Sequence, residues 1–119
     1  MDVKILDLGE IRVLEFLGRL TLSDGAKILR RTVRSELDGG KHRLLLDLSQ
    51  VSMIDSTGLG VLVSSHTSAL NRRGALALLR PSPKVEDVLK ITLMDRVLRI
   101  FQNQGAAVEW FENLDNSPQ

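Results

Sequence analysis

Residues 43–60 read RLLLDLSQVSMIDSTGLG, and their order decides the fold. Arg43-Leu44-Leu45-Leu46-Asp47-Leu48 is a nearly unbroken apolar run, the pattern of a strand buried on both faces and therefore central and parallel. The strand-and-turn segment Leu44–Ile54 leads into Asp55-Ser56-Thr57-Gly58-Leu59-Gly60, which opens a helix predicted over about 57–72. Leu59, Leu62, Val63, His66, Ala69 and Leu70 recur there at helical spacing, a stripe suited to packing on a sheet. A buried strand followed at once by a helix is half of a right-handed crossover unit. The chain is read as α/β.

Working outward, residues 3–8 and 11–17 are short alternating runs separated by Gly9-Glu10, which predicts an antiparallel hairpin. Ser23 is expected to cap a helix over about 24–38, with Ala26, Leu29, Val33 and Leu37 inward and Gly39-Gly40 ending it. Beyond the second helix, Gly74 precedes an all-apolar strand, Ala75–Leu79. Ser82 is then expected to cap a helix over 83–91, with Pro83 at its first position, where the missing N–H costs nothing. Val97–Phe101 reads as a last strand, 106–114 as a short helix, and 115–119 as a frayed end. The expectation is one domain over 1–119, its core spanning about 3–112. Its mixed sheet has about four to five strands, an N-terminal antiparallel hairpin and parallel central strands.

Composition narrows the function. The chain has 119 residues, 43% apolar but only 3% aromatic, so its core is aliphatic. Sixteen basic and fifteen acidic residues leave a net charge of +1, which argues against general nucleic-acid or membrane-surface binding. Without cysteine there is no disulfide, thiolate zinc site or cysteine nucleophile. No apolar run approaches the roughly 20 residues of a membrane span, so a cytoplasmic location is expected. The glycine-rich phosphate loops, the serine-hydrolase elbow and the H-E-x-x-H metal motif are missing. His42 and His66 lack metal-ligand spacing, and His66, inside the helical stripe, is read as a packed, hydrogen-bonded residue. No catalytic residue, metal or cofactor is predicted. Lys27, Arg30, Arg31 and Arg34 share one face of the first helix, read as solvated rather than as a surface for an anionic partner. Glu86-Asp87 complements the dipole at the start of the third helix.

The segment 55–60 is different. Ser56 or Thr57 is expected to cap the helix. Gly58 and Gly60 each cost about 0.5–1 kcal/mol relative to alanine in a helix, so close packing or a close approach should compensate.

Residues 45–60, from Leu45-Leu46-Asp47-Leu48 through Asp55-Ser56-Thr57-Gly58-Leu59-Gly60, resemble the signature of STAS domains, the anti-sigma factor antagonists. The likeness extends to Gly18-Arg19-Leu20, Arg72-Arg73-Gly74 and Ser82–Leu93. It implies that Ser56 is a phosphorylation site. It also implies that the unphosphorylated protein binds an ATP-dependent serine kinase acting as anti-sigma factor, releasing the sigma factor, and that a phosphatase restores binding. The implied contact residues are Thr21, Asp24, Asp55, Ser56, Thr57 and Gly58. The family often places an aspartate after the Gly-Arg-Leu segment; here Thr21 stands there, with Asp24 the nearest carboxylate. The alternative implied role is an unphosphorylated subunit or scaffold of a larger stress-sensing or lipid-handling complex. A hydrolase using Ser56 with Asp55 lacks a histidine or lysine placed near the loop by sequence.

Overall fold

Alternating layers of leucine organise the molecule. The computed structural model describes residues 1–114; the tail predicted at 115–119 lies outside the described residues. The elements are β1 (Asp2–Leu8), β2 (Ile11–Leu20), α1 (Ala26–Asp38), β3 (Arg43–Ile54), α2 (Ser56–Asn71), β4 (Ala75–Leu79), α3 (Pro83–Ile91), a 3₁₀ turn (Met94–Arg96), β5 (Arg99–Phe101) and α4 (Gln104–Asn113). The five strands lie side by side in chain order, β1 antiparallel to β2 and the rest parallel. Leu8 pairs with Ile11 across Gly9-Glu10, as the hairpin reading requires.

The apolar run of β3 is buried on both faces because side chains alternate across a sheet. Leu44, Leu46 and Leu48 join one core with α1, α2 and α3, while Leu45 joins a second, smaller core under α4. On β4, Leu76 and Leu78 face the larger core, and Ala75, Ala77 and Leu79 meet Phe111 and Ala107 of α4. Asp47, the carboxylate in the run, is buried and held by the Arg80 guanidinium at 3.1 Å and the Ser49 N–H at 3.0 Å.

Several boundaries differ from expectation. Ser23 does not cap α1, which begins at Ala26 after Gly25 with no side-chain cap bond. The intervening turn satisfies itself: the Thr21 carbonyl accepts from Asp24 and Ala26, and Gly25 N–H donates to Arg19. Ser82 stands at the start of α3, but its Oγ donates to the Val51 carbonyl instead of capping. The last strand shortens to Arg99–Phe101 because Met94–Arg96 winds into the 3₁₀ turn. The last helix starts two residues early, at Gln104, where the Asn103 side chain accepts from Ala106 N–H at 2.8 Å. The inward stripe of α2 is Gly58, Val61, Leu62, Ser65 and Ala69, while Leu70 is exposed. That stripe is rotated from the predicted one because the helix docks through Gly58 against the end of β2. His66 is half-buried but not hydrogen-bonded as expected: its Nδ1 is buried with no partner among the described residues.

The sheet's most consequential irregularity lies between β2 and β3. Register shifts between Glu15 and Leu17 and between Gly18 and Arg19 carry the pairing on to Leu20 opposite Ile54. Both strands therefore end side by side, and the chain leaves them at one place.

Candidate functional site

That place is the junction of β3 with α2. Asp55 follows Ile54 in an extended conformation (φ −113°, ψ −176°), the geometry of a residue just before a helix. The helix cap expected from Ser56 or Thr57 comes from Asp55 instead. One carboxylate oxygen, Oδ1, accepts from Gly58 N–H at 2.8 Å; the other, Oδ2, accepts from Leu22 N–H at 2.9 Å. Asp55 N–H in turn donates to the Leu20 carbonyl at 3.3 Å. One side chain thus starts α2 and ties down the turn after β2. The N–H groups of Leu22 and Gly58 stabilise its charged form and hold its carboxyl below the usual carboxylate range.

Gly58 faces inward against the end of β2. A Cβ there would lie 2.0 Å from the Leu20 carbonyl oxygen, so only glycine lets the first turn of α2 sit this close. Gly60 is otherwise: nothing lies within 4 Å of where its Cβ would be. The intramolecular approach expected to compensate for both glycines exists at Gly58 alone. Gly60 instead lines an open groove of about 650 Å³ along α2, shared with Ser56, Val63, Thr67 and Met94.

With capping done by Asp55, Ser56 is the first helical residue; it is exposed, and its hydroxyl makes no hydrogen bond among the described residues. Thr57 is half-buried. Thr21 is 8% exposed and lies under the turn, so what the turn presents outward is Leu22, 72% exposed. Asp24 forms an ion pair with the Met1 ammonium at 2.8 Å and approaches Arg19 Nε at 3.8 Å. The ammonium hydrogen bond, foremost, holds the Asp24 carboxyl below its ordinary value. The structure thus brings Thr21, Asp24 and residues 55–58 into one region from two loops.

Leu22 and Met53, the latter 45% exposed, add apolar surface on the Asp55-bonded turn and at the end of β3. Sequence reasoning missed both. Leu22 sat in the lead-in to a helix, and Met53 in a segment read only as strand and turn. Their signal was available, a bulky apolar residue in each of two segments that converge, but the convergence is tertiary. His42 and His66 line a different groove, beside the N-terminal ends of β3 and β4. Lys27, Arg30, Arg31 and Arg34 are all exposed along α1.

A reactive centre would need a base beside Ser56, and no histidine or lysine is bonded to it among the described residues. What the junction offers is a rigidly anchored loop with a free hydroxyl and apolar flanks, the makings of a protein-contact surface. Comparison agrees. Residues 3–107 match the STAS domain family model, and the chain belongs to that family. It is 38% identical over 87 residues to a Thermotoga neapolitana protein assigned as an anti-sigma factor antagonist, covering 72% of this chain and 77% of the relative. The crystal structure of a Thermotoga maritima protein with the same assignment superposes with a TM-score of 0.82 at 33% identity, covering 93% of each chain. The Bacillus cell fate determinant SpoIIAA in its phosphorylated form shares the fold, with a TM-score of 0.68 at 17% identity over 91% of this chain and 98% of that one.

Proposed function

We propose that this protein is a cytoplasmic anti-sigma factor antagonist that works as a phosphorylation switch. Unphosphorylated, it binds a serine-kinase anti-sigma factor through Leu22, Met53 and the 55–58 loop, releasing the sigma factor. Phosphorylation of Ser56 by that ATP-dependent kinase ends the complex, and a phosphatase restores it. The protein itself is a binding partner, not an enzyme. The observation carrying this reading is the exposed, unbonded Ser56 hydroxyl at the first position of α2. Relatives assigned as antagonists and a fold neighbour solved in a phosphorylated form support it.

The physics is local. A phosphoryl group adds about 1.5–2 negative charges and three acceptor oxygens. The N-terminal end of α2 tolerates that charge in the free protein, because the helix macrodipole favours anions there. In a complex the same charge sits beside the Asp55 carboxylate and must be desolvated against the partner. A loss of about 3–4 kcal/mol would weaken binding several-hundred-fold.

The test is to incubate the protein with its cognate kinase and ATP and weigh it by mass spectrometry. One added phosphate, missing in Ser56→Ala, is expected. Ser56→Asp should weaken kinase binding while moving the thermal midpoint by no more than a few degrees. No phosphate with the cognate kinase would favour a scaffold subunit; a midpoint collapse would make Ser56 structural.

A further inference from the structure

Away from Ser56, across the length of β3, lies a cavity of about 790 Å³. Its volume falls in the range typical of small-molecule sites, roughly 300–1,000 Å³. It opens where His42 and Gly74 lead into β3 and β4, and it is walled by the 3₁₀ segment, β5 and Trp110 of α4. The whole chain carries a net charge of only +1, yet this groove gathers five arginine and lysine side chains against two carboxylates. One carboxylate, Glu86, is already paired with Lys90 at 3.4 Å. Arg73 and Arg96 have no ion-pair partner among the described residues, and Arg99 lies over the Trp110 ring at 5.5 Å. Like charges crowded in one concavity repel one another, and an anion bound among them relieves that cost.

His66 gives an independent sign. It lines the same groove, its Nδ1 is buried without a hydrogen-bond partner, and no bond to its other nitrogen is formed among the described residues. Leaving a buried polar atom unpaired is costly, and a turn of the His66 ring toward the groove would let it donate to an anion bound there. Guanidinium groups suit phosphate oxygens, to which they donate paired hydrogen bonds.

We propose that this groove is a second binding site, for a small phosphate monoester held by Arg73 and Arg96 with His66 as a further donor. The proposal does not depend on the reading of Ser56. Inorganic phosphate is the probe, titrated at constant ionic strength against chloride while the His66 ring resonances are followed by NMR. A saturable shift with a half-point in the millimolar range is expected. The Arg73→Asn/Arg96→Gln double variant should raise that half-point about tenfold or more; asparagine is chosen because Arg73 has a φ of +61°, which asparagine tolerates. Both residues are exposed, so folding should be unaffected. Ser56→Asp should leave the half-point within about twofold. A shift that does not saturate, one that survives the double substitution, or saturation by citrate but not by phosphate would overturn the proposal.

Discussion

Within six residues the β3–α2 junction shows two faces, and they obey different rules. On the inner face, Asp55 and Gly58 are fully committed: two N–H groups end on one carboxylate, and a carbonyl oxygen fills the space a side chain would take. On the outer face, Ser56 has a free hydroxyl and Gly60 a bare backbone, and nothing in the described molecule uses either. A motif that looks uniform in sequence is therefore half scaffold and half uncommitted surface. The two kinds of position alternate around one helical turn.

Substitutions can break or sharpen that division. Gly58→Ala should have the largest effect. Helix propensity favours alanine by about 1 kcal/mol, but a methyl carbon 2.0 Å from the Leu20 oxygen must push backbone aside. Such overpacking costs about 3 kcal/mol, so urea denaturation should show a net loss of about 2 kcal/mol or more. A smaller loss would mean that the α2 start yields easily.

Asp55→Ala comes next, removing a helix cap and the tether to Leu22 together; its thermal midpoint should fall by several degrees at neutral pH. The effect should depend on pH with a definite sign. Because folding lowers the Asp55 pKa, its contribution is complete above the ordinary carboxylate value near pH 4 and fades as pH drops through the folded value. Melting curves of the two proteins between pH 7 and pH 3 should therefore converge on the acid side. A constant gap would assign the loss to packing instead of charge.

Gly60→Ala is the smallest effect and has the opposite sign. With open space around the new methyl group, stability should rise by about 0.5–1 kcal/mol. If the partner approaches the bare backbone, kinase affinity should fall in the same variant. A stabilised protein with unaltered affinity would remove Gly60 from the contact.

Much of the fold was legible. The leucine run of β3, the alanine–leucine run of β4, and Pro83 at the start of α3 are local signals, and burial and missing-donor effects act wherever those residues stand. The boundaries that slipped were set by distant partners. Ser82 was drawn to the Val51 carbonyl, and Ser23 was made superfluous by a turn that bonds to itself. The site was legible as a segment but not as a surface. Ser56 could be singled out by position, whereas the capping role passed to Asp55 because its carboxylate had two donors to reach, one of them 33 residues away.

By itself the sequence determined that strands and helices alternate, which strands are buried on both sides, and which loop carries a hydroxyl at a helix start. Those properties follow from short-range periodicity and from the conformational limits of glycine and proline. Tertiary structure alone decided which of the two glycines is indispensable, that Leu22 comes to lie by Asp55, and that His66 shares a groove with His42. Each depends on which atoms from far-separated segments come within a few ångströms, and only the packed sheet settles that.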